Sequence, residues 1–404
     1  MLLTVSDLLP QEACAPAATW DVREHTSITE IERGDWQRLL PDEPESWEYY
    51  RVVEIAPPPN FQLGAMSVWR DGALVALAPM FRTVYRIDTP LQGTLRELGQ
   101  WLFEHLPRLV SLPVIGIGSP SCDTCSIGFS TSLDAAGRAA AFAAMLAHLE
   151  QRAAEERCGL IAVKSLDARA ESLEAVFRAR GFARVTSVPL AILDLPFTST
   201  EQYLASLPAK TRSYLKRKRR AAANVRMEYV TSLAGVEAQV FALFQETLAQ
   251  SKVDYGDFEQ LTPGYFPRVL EAMGEAAQCQ LWWQGEELVG FQISLVGPRS
   301  IVTKHIGMKY PQARELNLYF LAWLDMIDFA IARGIPQVDM GATTYQTKML
   351  FGAHLSQRWL HFRFRGGIAN ALLQPLAPLF DFERHDPELK ALRARGEASD
   401  ARRD

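Results

Sequence analysis

Apolar and polar residues change their rhythm three times between Ser300 and Gly352. Ser300 to Met308 alternates, which predicts a strand with Ile301, Thr303, His305 and Gly307 on one face. Val302, Lys304, Ile306 and Met308 then share the other face. A polar joint, Lys309 to Glu315, leads into Leu316 to Ala332, whose apolar run predicts about five turns of helix. Arg333-Gly334 is a helix stop, because a basic residue suits the last carbonyls and glycine accepts the left-handed turn that follows. Gln337 to Met340 predicts a short strand broken at Gly341, and Thr343 to Phe351 runs polar, then basic, then apolar. Strand, helix and strand with tight joints make a parallel crossover, and ligands gather beyond the carboxyl ends of such strands. Lys304 and His305 lie near one exit; Asp339, Thr343, Tyr345 and Lys348 lie at the other. The stretch is either a pocket floor or a buried crossover with incidental polar residues.

The remaining pattern places that unit within a repeat. Residues before about 20 carry little order signal, and Thr26 to Leu40 predicts a helix. Trp47 to Ile55 reads as a strand ended by Pro57, Pro58 and Pro59. Asp71-Gly72 is a hairpin turn between two β-prone arms. Leu109 to Ile117 predicts a strand, Gly116 to Gly128 a loop, and Ala135 to Arg157 an alanine-rich helix. A strand at Leu160 to Lys164, a helix at Leu173 to Arg180 ending at Gly181, and a closing strand at Arg184 to Leu193 complete the half. Ser199 to Gln202 has capping-box spacing. Lys210 to Arg220 is the densest positive run, and Val225 to Val230 is a strand. Leu233 to Ser251 and Tyr265 to Met273 are helical, with a polar loop, Lys252 to Gly264, between them. QLWWQGEELVGFQISL then repeats the hairpin of AMSVWRDGALVALAPM, each with Trp before the turn and Leu-Val after it. Asp134 to Lys164 matches Leu316 to Met340, and Leu173 to Leu193 matches Tyr345 to Phe364. A duplicated α/β unit follows. We place the boundaries at 1–195, a basic helical connector at 196–224, a second domain at 225–370, and a partly disordered tail at 371–404.

Composition narrows the function classes. At 404 residues each of two domains can bury a core. A net charge of −5 gives no global pull toward nucleic acid or anionic lipid. No apolar run reaches the length of a membrane span, and the first residues lack the basic lead of a signal peptide. Five cysteines (Cys14, Cys122, Cys125, Cys158 and Cys279) suggest reduced thiols and a cytoplasmic location. Cys122-Asp-Thr-Cys125 has no second ligand pair for tetrahedral zinc and does not open a helix, so a loop is the expectation.

The element order resembles the GNAT acyltransferase fold, and LEAVFRARGFARV resembles that superfamily's helix-to-strand corner. EQYLASLPAKTRSYLKRKRR and VDMGATTYQTKMLFG resemble segments of the Fem-like, two-domain N-acyltransferases, over roughly residues 20 to 365. The sequence departs from the superfamily at its donor joint. Tyr310-Pro-Gln-Ala-Arg-Glu-Leu-Asn317 has no glycine, whereas the usual joint holds a coenzyme A pyrophosphate on glycine-rich backbone N–H groups. Gln312 and Arg314 are left to meet a phosphate and Asn317 to cap the helix.

The resemblance implies an N-acyltransferase with acyl-CoA as co-substrate, no tightly bound cofactor and no metal. It implies a catalytic C-terminal domain, with the N-terminal one a degenerate copy. In that reading Lys348 faces the reacting carbonyl. Acyl transfer to an amine needs an oxyanion donor and a base with a pKa near the working pH. His305 and Asp339 are the base candidates, and Tyr345 could protonate a leaving group. Lys304, Tyr319, Tyr255 and Arg212 are candidates for holding substrate. No Ser-His-Asp pattern suggests an acyl-enzyme, so the bound amine attacks directly. His354 and His361 look peripheral. In a helix, Arg212, Lys216, Arg219 and Arg220 share one face, with Lys210 and Arg217 on another. That face is solvated, or binds coenzyme A or acceptor phosphates, or binds transfer RNA. The rival functions are an aminoacyl-transfer-RNA-dependent Fem-like ligase and a non-catalytic duplicate that serves as a binding module. Acyl chain, acceptor and oligomeric state have no signature in the sequence.

Overall fold

Two mixed sheets organise the chain, which a computed structural model describes over residues 19–86, 111–250 and 261–400. In the first sheet β1 (Asp21–His25), β2 (Phe61–Arg70), β3 (Ala73–Arg86), β4 (Ser111–Ile117), β6 (Leu160–Leu166), β15 (Trp359–Phe364) and β7 (Ala183–Thr186) lie in that order. The short β5 (Gly128–Phe129) pairs with β3. In the second, the order is β9 (Val225–Val230), β10 (Ala277–Gln284), β11 (Glu287–Val296), β12 (Ile301–Met308), β13 (Gln337–Asp339), β8 (Leu190–Asp194) and β14 (His354–Ser356). One neighbour pair in each sheet is parallel, β4 with β6 and β12 with β13, as a helical crossover requires.

The two sheets repeat one another in detail. Each hairpin carries a bulge at its Trp, between Val68 and Trp69 in β2 and between Trp282 and Trp283 in β10. Asp71 and Gly72 both take positive φ, 52° and 79°, in the tight turn expected there. The Tyr265–Met273 helix and the stop at Arg333 with Gly334 in the left-handed region also match the pattern.

The last strands are exchanged. β15 comes from the second repeat but pairs antiparallel with β6 and β7 of the first. β8 comes from the first repeat but pairs antiparallel with β13 and β14 of the second. The single closing strand expected at Arg184 to Leu193 is therefore two strands in different sheets. Neither sheet is built from one contiguous stretch of chain. One apolar cluster also joins the halves, running from Trp36 and Tyr49 to Phe244 and Phe266. Within it the Tyr49 and Tyr265 hydroxyls hydrogen-bond at 2.9 Å.

Two other expectations change. Trp47–Ile55 is a helix, not a strand: Tyr49, Tyr50, Val52 and Val53 bury a helical face that outweighs their β-propensity. Thr26 to Leu40 is broken into a 3-10 turn, Ile28–Glu30, and a helix, Arg33–Leu39. Within the tail expected at 371–404 the described residues include the helix Pro387–Asp400. Leu389 is buried in the second core, and Glu388 Oε1 accepts from the Gln346 N–H at 2.7 Å.

Candidate active site

β12 and β13 pair only through Ile301–Val338 and Val302–Asp339, and β12 then runs on to Met308 paired with β11 alone. In the first sheet the matching strands stay paired over four positions, Val114–Leu160 to Ile117–Val163. The early parting in the second sheet opens a cleft of about 580 Å³. Its walls come from β12, from the Leu318–Ala332 helix through Tyr319 and Trp323, and from the 340–344 turn. Tyr49 and Asp123 of the first half close one side.

A bulge shapes the β12 wall. Ile293 pairs with His305 and Ser294 with Thr303, so Lys304 is the extra residue. Strand parity flips there. Ile301 packs with Trp323 and Leu324 of the long helix, whereas Gly307 faces Leu243 and Phe244 on the opposite side. The single face predicted for Ile301, Thr303, His305 and Gly307 does not exist.

Lys348 sits in the short Tyr345–Leu350 helix, 3% exposed, and lines the cleft. The turn before it holds Thr343 and Thr344 in consecutive left-handed conformations, φ 60° and 51°, rare for β-branched residues. That turn aims two carbonyls at the lysine. Lys348 Nζ donates to Gly341 O at 3.0 Å and Ala342 O at 2.6 Å. An ammonium has three N–H donors, so one remains for the cleft. Burial pushes the Lys348 pKa down to about 8, against the nearby Asp339 charge.

Asp339 ends β13, 8% exposed. Its Oδ1 accepts from the Gly341 N–H at 2.8 Å, and its backbone carbonyl accepts from Thr303 Oγ1 at 2.8 Å. Among the described residues its other carboxylate oxygen has no hydrogen-bond partner. Burial, with Asp123 adding to it, raises the Asp339 pKa to about 6.

Lys304 is committed elsewhere. Its Nζ donates to Glu45 Oε1 at 2.6 Å and to Ser121 O at 2.8 Å, both from the first half. Glu45 is pushed upward by burial. Lys304 rises because the Glu45 and Tyr49 oxygens outweigh its own desolvation. His305 lies edge-on to Phe244, Tyr265 and Phe266 at 5.5–5.6 Å. Burial and then Lys304 drive its pKa to about 3, too low for the general base suggested by the sequence.

Several predicted residues lie away from the cleft. Tyr345 is fully buried and donates its hydroxyl to Pro189 O at 3.0 Å. Arg212 turns its Nη1 to the Leu204, Ala205 and Leu207 carbonyls at the end of the Thr200–Ser206 helix. Gln312 and Arg314 lie on the Gln312–Glu315 helix outside the cleft, and Arg314 bonds Gln250 Oε1 at 3.2 Å. Asn317 makes no side-chain cap; its Oδ1 accepts from Lys218 Nζ at 2.6 Å. Tyr319 does line the cleft, and burial pushes its pKa up to about 12. Tyr255 falls outside the described residues. His361 is buried against Glu174 and Phe177 in the first sheet, far from this wall.

Asp123, Tyr49 and Glu45 were missed, because their contribution depends on the first half docking on the second. Cys122 and Cys125 stand in the loop that carries Asp123. Both are buried, which raises their pKa values, to about 12 for Cys125. Among the described residues no cluster of three or more His, Cys, Asp or Glu is placed to hold a metal ion, and no helix is long and apolar enough to cross a membrane.

Comparison with known proteins fits this geometry. Residues 209–349 match the family described as "Acetyltransferase (GNAT) domain". The second unit thus matches a GNAT acetyltransferase domain, and the fold of the chain is two tandem GNAT-like units. It is similar in fold to FemX, at 12% identity and TM-score 0.57, covering 88% of this chain and 100% of FemX. A tandem GNAT protein from the clavulanic acid biosynthesis pathway is also 12% identical, with TM-score 0.49, covering 86% of this chain and 99% of that one. The C-terminal domain of a putative lysylphosphatidylglycerol synthetase from Agrobacterium fabrum is 12% identical, with TM-score 0.48, covering 86% and 95%. No curated protein sequence matches the chain.

Proposed function

We propose that the second domain transfers an acyl group from acyl-coenzyme A to an amine of a small molecule, by direct attack. The observation that carries this reading is the Lys348 ammonium, fixed by two carbonyls on the wall of the cleft that opens where β12 and β13 part. A thioester carbonyl placed in that gap meets a charged donor just where negative charge develops during attack. Asp339, with a pKa of about 6, takes the proton from the attacking amine. The tetrahedral intermediate then collapses, the C–S bond breaks, and the amide and the free thiol leave. The first domain acts as the non-catalytic copy. Its own strands stay paired, and Lys164 ties the Ser119 and Cys122 carbonyls across their end at 2.9 and 2.7 Å.

The basic helix favours a small donor over transfer RNA. Arg212 and Lys218 bond within the protein, and Arg219 pairs with Asp328 at 2.6 Å. Lys210, Lys216, Arg217 and Arg220 remain outward, a short stripe on an acidic chain. The Gln312–Asn317 joint supplies no evident phosphate cradle, so the donor's hold rests on the cleft and not on that joint. Calorimetric titration tests the reading. Acetyl-coenzyme A should bind the wild-type protein and lose its effect on melting when the cleft is filled by Gly341→Trp. Salt-sensitive binding of bulk transfer RNA with no response to acetyl-coenzyme A would overturn it.

A further inference from the structure

A second cavity, about 640 Å³, opens on the other side of Asp123. Asp123 lines both cavities, and the Lys304–Glu45 pair stands between them. The second cavity's charged lining is lopsided: seven carboxylates against three guanidiniums. Lys304 matches Glu45, and Arg169 bridges Glu43 and Asp167 at 2.7 and 2.8 Å. A surplus of three negative charges remains.

Two of these carboxylates are built to receive a ligand. The free oxygen of Asp339 belongs to a side chain that is 92% buried, a costly state for a carboxylate with no cation on it. Asp123 is exposed, and among the described residues its side chain has no hydrogen-bond or ion-pair partner, although its loop is pinned at every turn. Lys304 Nζ and the Tyr49 hydroxyl both donate to Ser121 O, at 2.8 and 3.0 Å. Lys164 Nζ donates to Cys122 O, and Arg358 Nε donates to Thr124 Oγ1 at 2.9 Å. The Cys125 N–H donates to Ser165 O at 3.0 Å. The pinned loop holds this exposed carboxylate in a fixed place where the two cavities meet, which lowers the ordering cost of binding a cation there.

We propose that the acceptor enters through this second cavity and is a di- or polyamine. One ammonium is drawn to Asp123 and Asp339, where it gives up its proton and attacks. A second stays among the remaining carboxylates. The inference rests on the acyl-transfer reading for the fate of the first amine, but the cation binding stands independently. An acidic vestibule concentrates multivalent cations and excludes anionic acceptors.

Calorimetric titration with 1,4-diaminobutane, 1-aminobutane and L-2-aminobutyrate, at low salt, tests it on the full-length protein. The diamine should bind at least tenfold more tightly than the monoamine. Asp123→Asn should weaken the diamine at least tenfold, and Asp123→Glu should recover most of that loss. Equal binding of monoamine and diamine would overturn the proposal. So would tightest binding of the amino acid, read by Arg358, or an unchanged diamine affinity in a folded Asp123→Asn protein. Melting curves with acetyl-coenzyme A on the same samples keep the two readings apart. Diamine binding without a coenzyme A response supports this site while defeating the donor assignment, and a coenzyme A response without diamine binding does the reverse.

Discussion

Lys348 is the sharpest place to perturb the mechanism. Two of its three donors hold Gly341 O and Ala342 O, so only the third can serve the reacting carbonyl. Lys348→Ala removes that donor, and loss of one oxyanion contact costs about 10²–10³-fold in kcat, roughly 3–4 kcal/mol. The pH profile carries a second signature. Asp339 must be ionised to act as base and titrates at about 6; Lys348 must be protonated and titrates at about 8. Thiol release from acetyl-coenzyme A in the presence of 1,4-diaminobutane should rise through the first value and fall through the second. The acceptor amine itself becomes more reactive as pH rises, so the fall must come from the enzyme. Lys348→Arg keeps a positive charge far above pH 8 and should abolish the alkaline fall while lowering the plateau. The reasoning fails if folded Lys348→Ala stays within fivefold of wild type at pH 7, or if the fall near pH 8 survives in Lys348→Arg.

Other expectations concern stability. Asp339 has a folded pKa of about 6 against 3.8, so its protonated form favours the fold below pH 4 and that help is lost as pH rises through 6. Asp339→Asn should therefore gain about 2–3 kcal/mol at pH 8 and nothing at pH 4, read by urea unfolding. Glu45→Gln leaves Lys304 buried without its counter-charge and should cost about 3–5 kcal/mol, with Lys304→Met restoring part of it in the double variant. Gly307→Ala should unfold the second domain's helix packing, because the new methyl meets the Leu243 backbone carbon at 2.8 Å; circular dichroism melting would show it. Residues 1–189 expressed alone lack β15, so β6 and β7 lose the strand between them, and the fragment should aggregate in size-exclusion chromatography.

Local chemistry was legible where it acts locally. Asp71-Gly72 and the Trp-marked arms specified both hairpins, since turn type and β-propensity agree there. The stop at Arg333-Gly334 was equally readable. What escaped were features set by distant partners. Tyr49, Tyr50, Val52 and Val53 look β-prone alone, yet they become a helix because they dock against the Tyr265–Met273 helix. β8 and β15 carry no letter that says which sheet each joins. The bulge at Lys304 inverted the face pattern, because one extra residue moves every later side chain across the sheet. At the site, Lys348 and Asp339 were visible as polar residues at a strand end. Asp123 was not, because it belongs to a loop more than two hundred residues earlier in the chain, and only the packing of the two domains brings it there.

The most direct measurement is a crystal structure with a non-hydrolysable acetyl-coenzyme A analogue. The account predicts the acyl carbonyl in the gap between β12 and β13, its oxygen within hydrogen-bond reach of Lys348 Nζ, with the carbonyl carbon open to the side where Asp123 and Asp339 stand. An analogue lodged between β4 and β6 of the first domain, or one in the second whose carbonyl points away from Lys348, would contradict it.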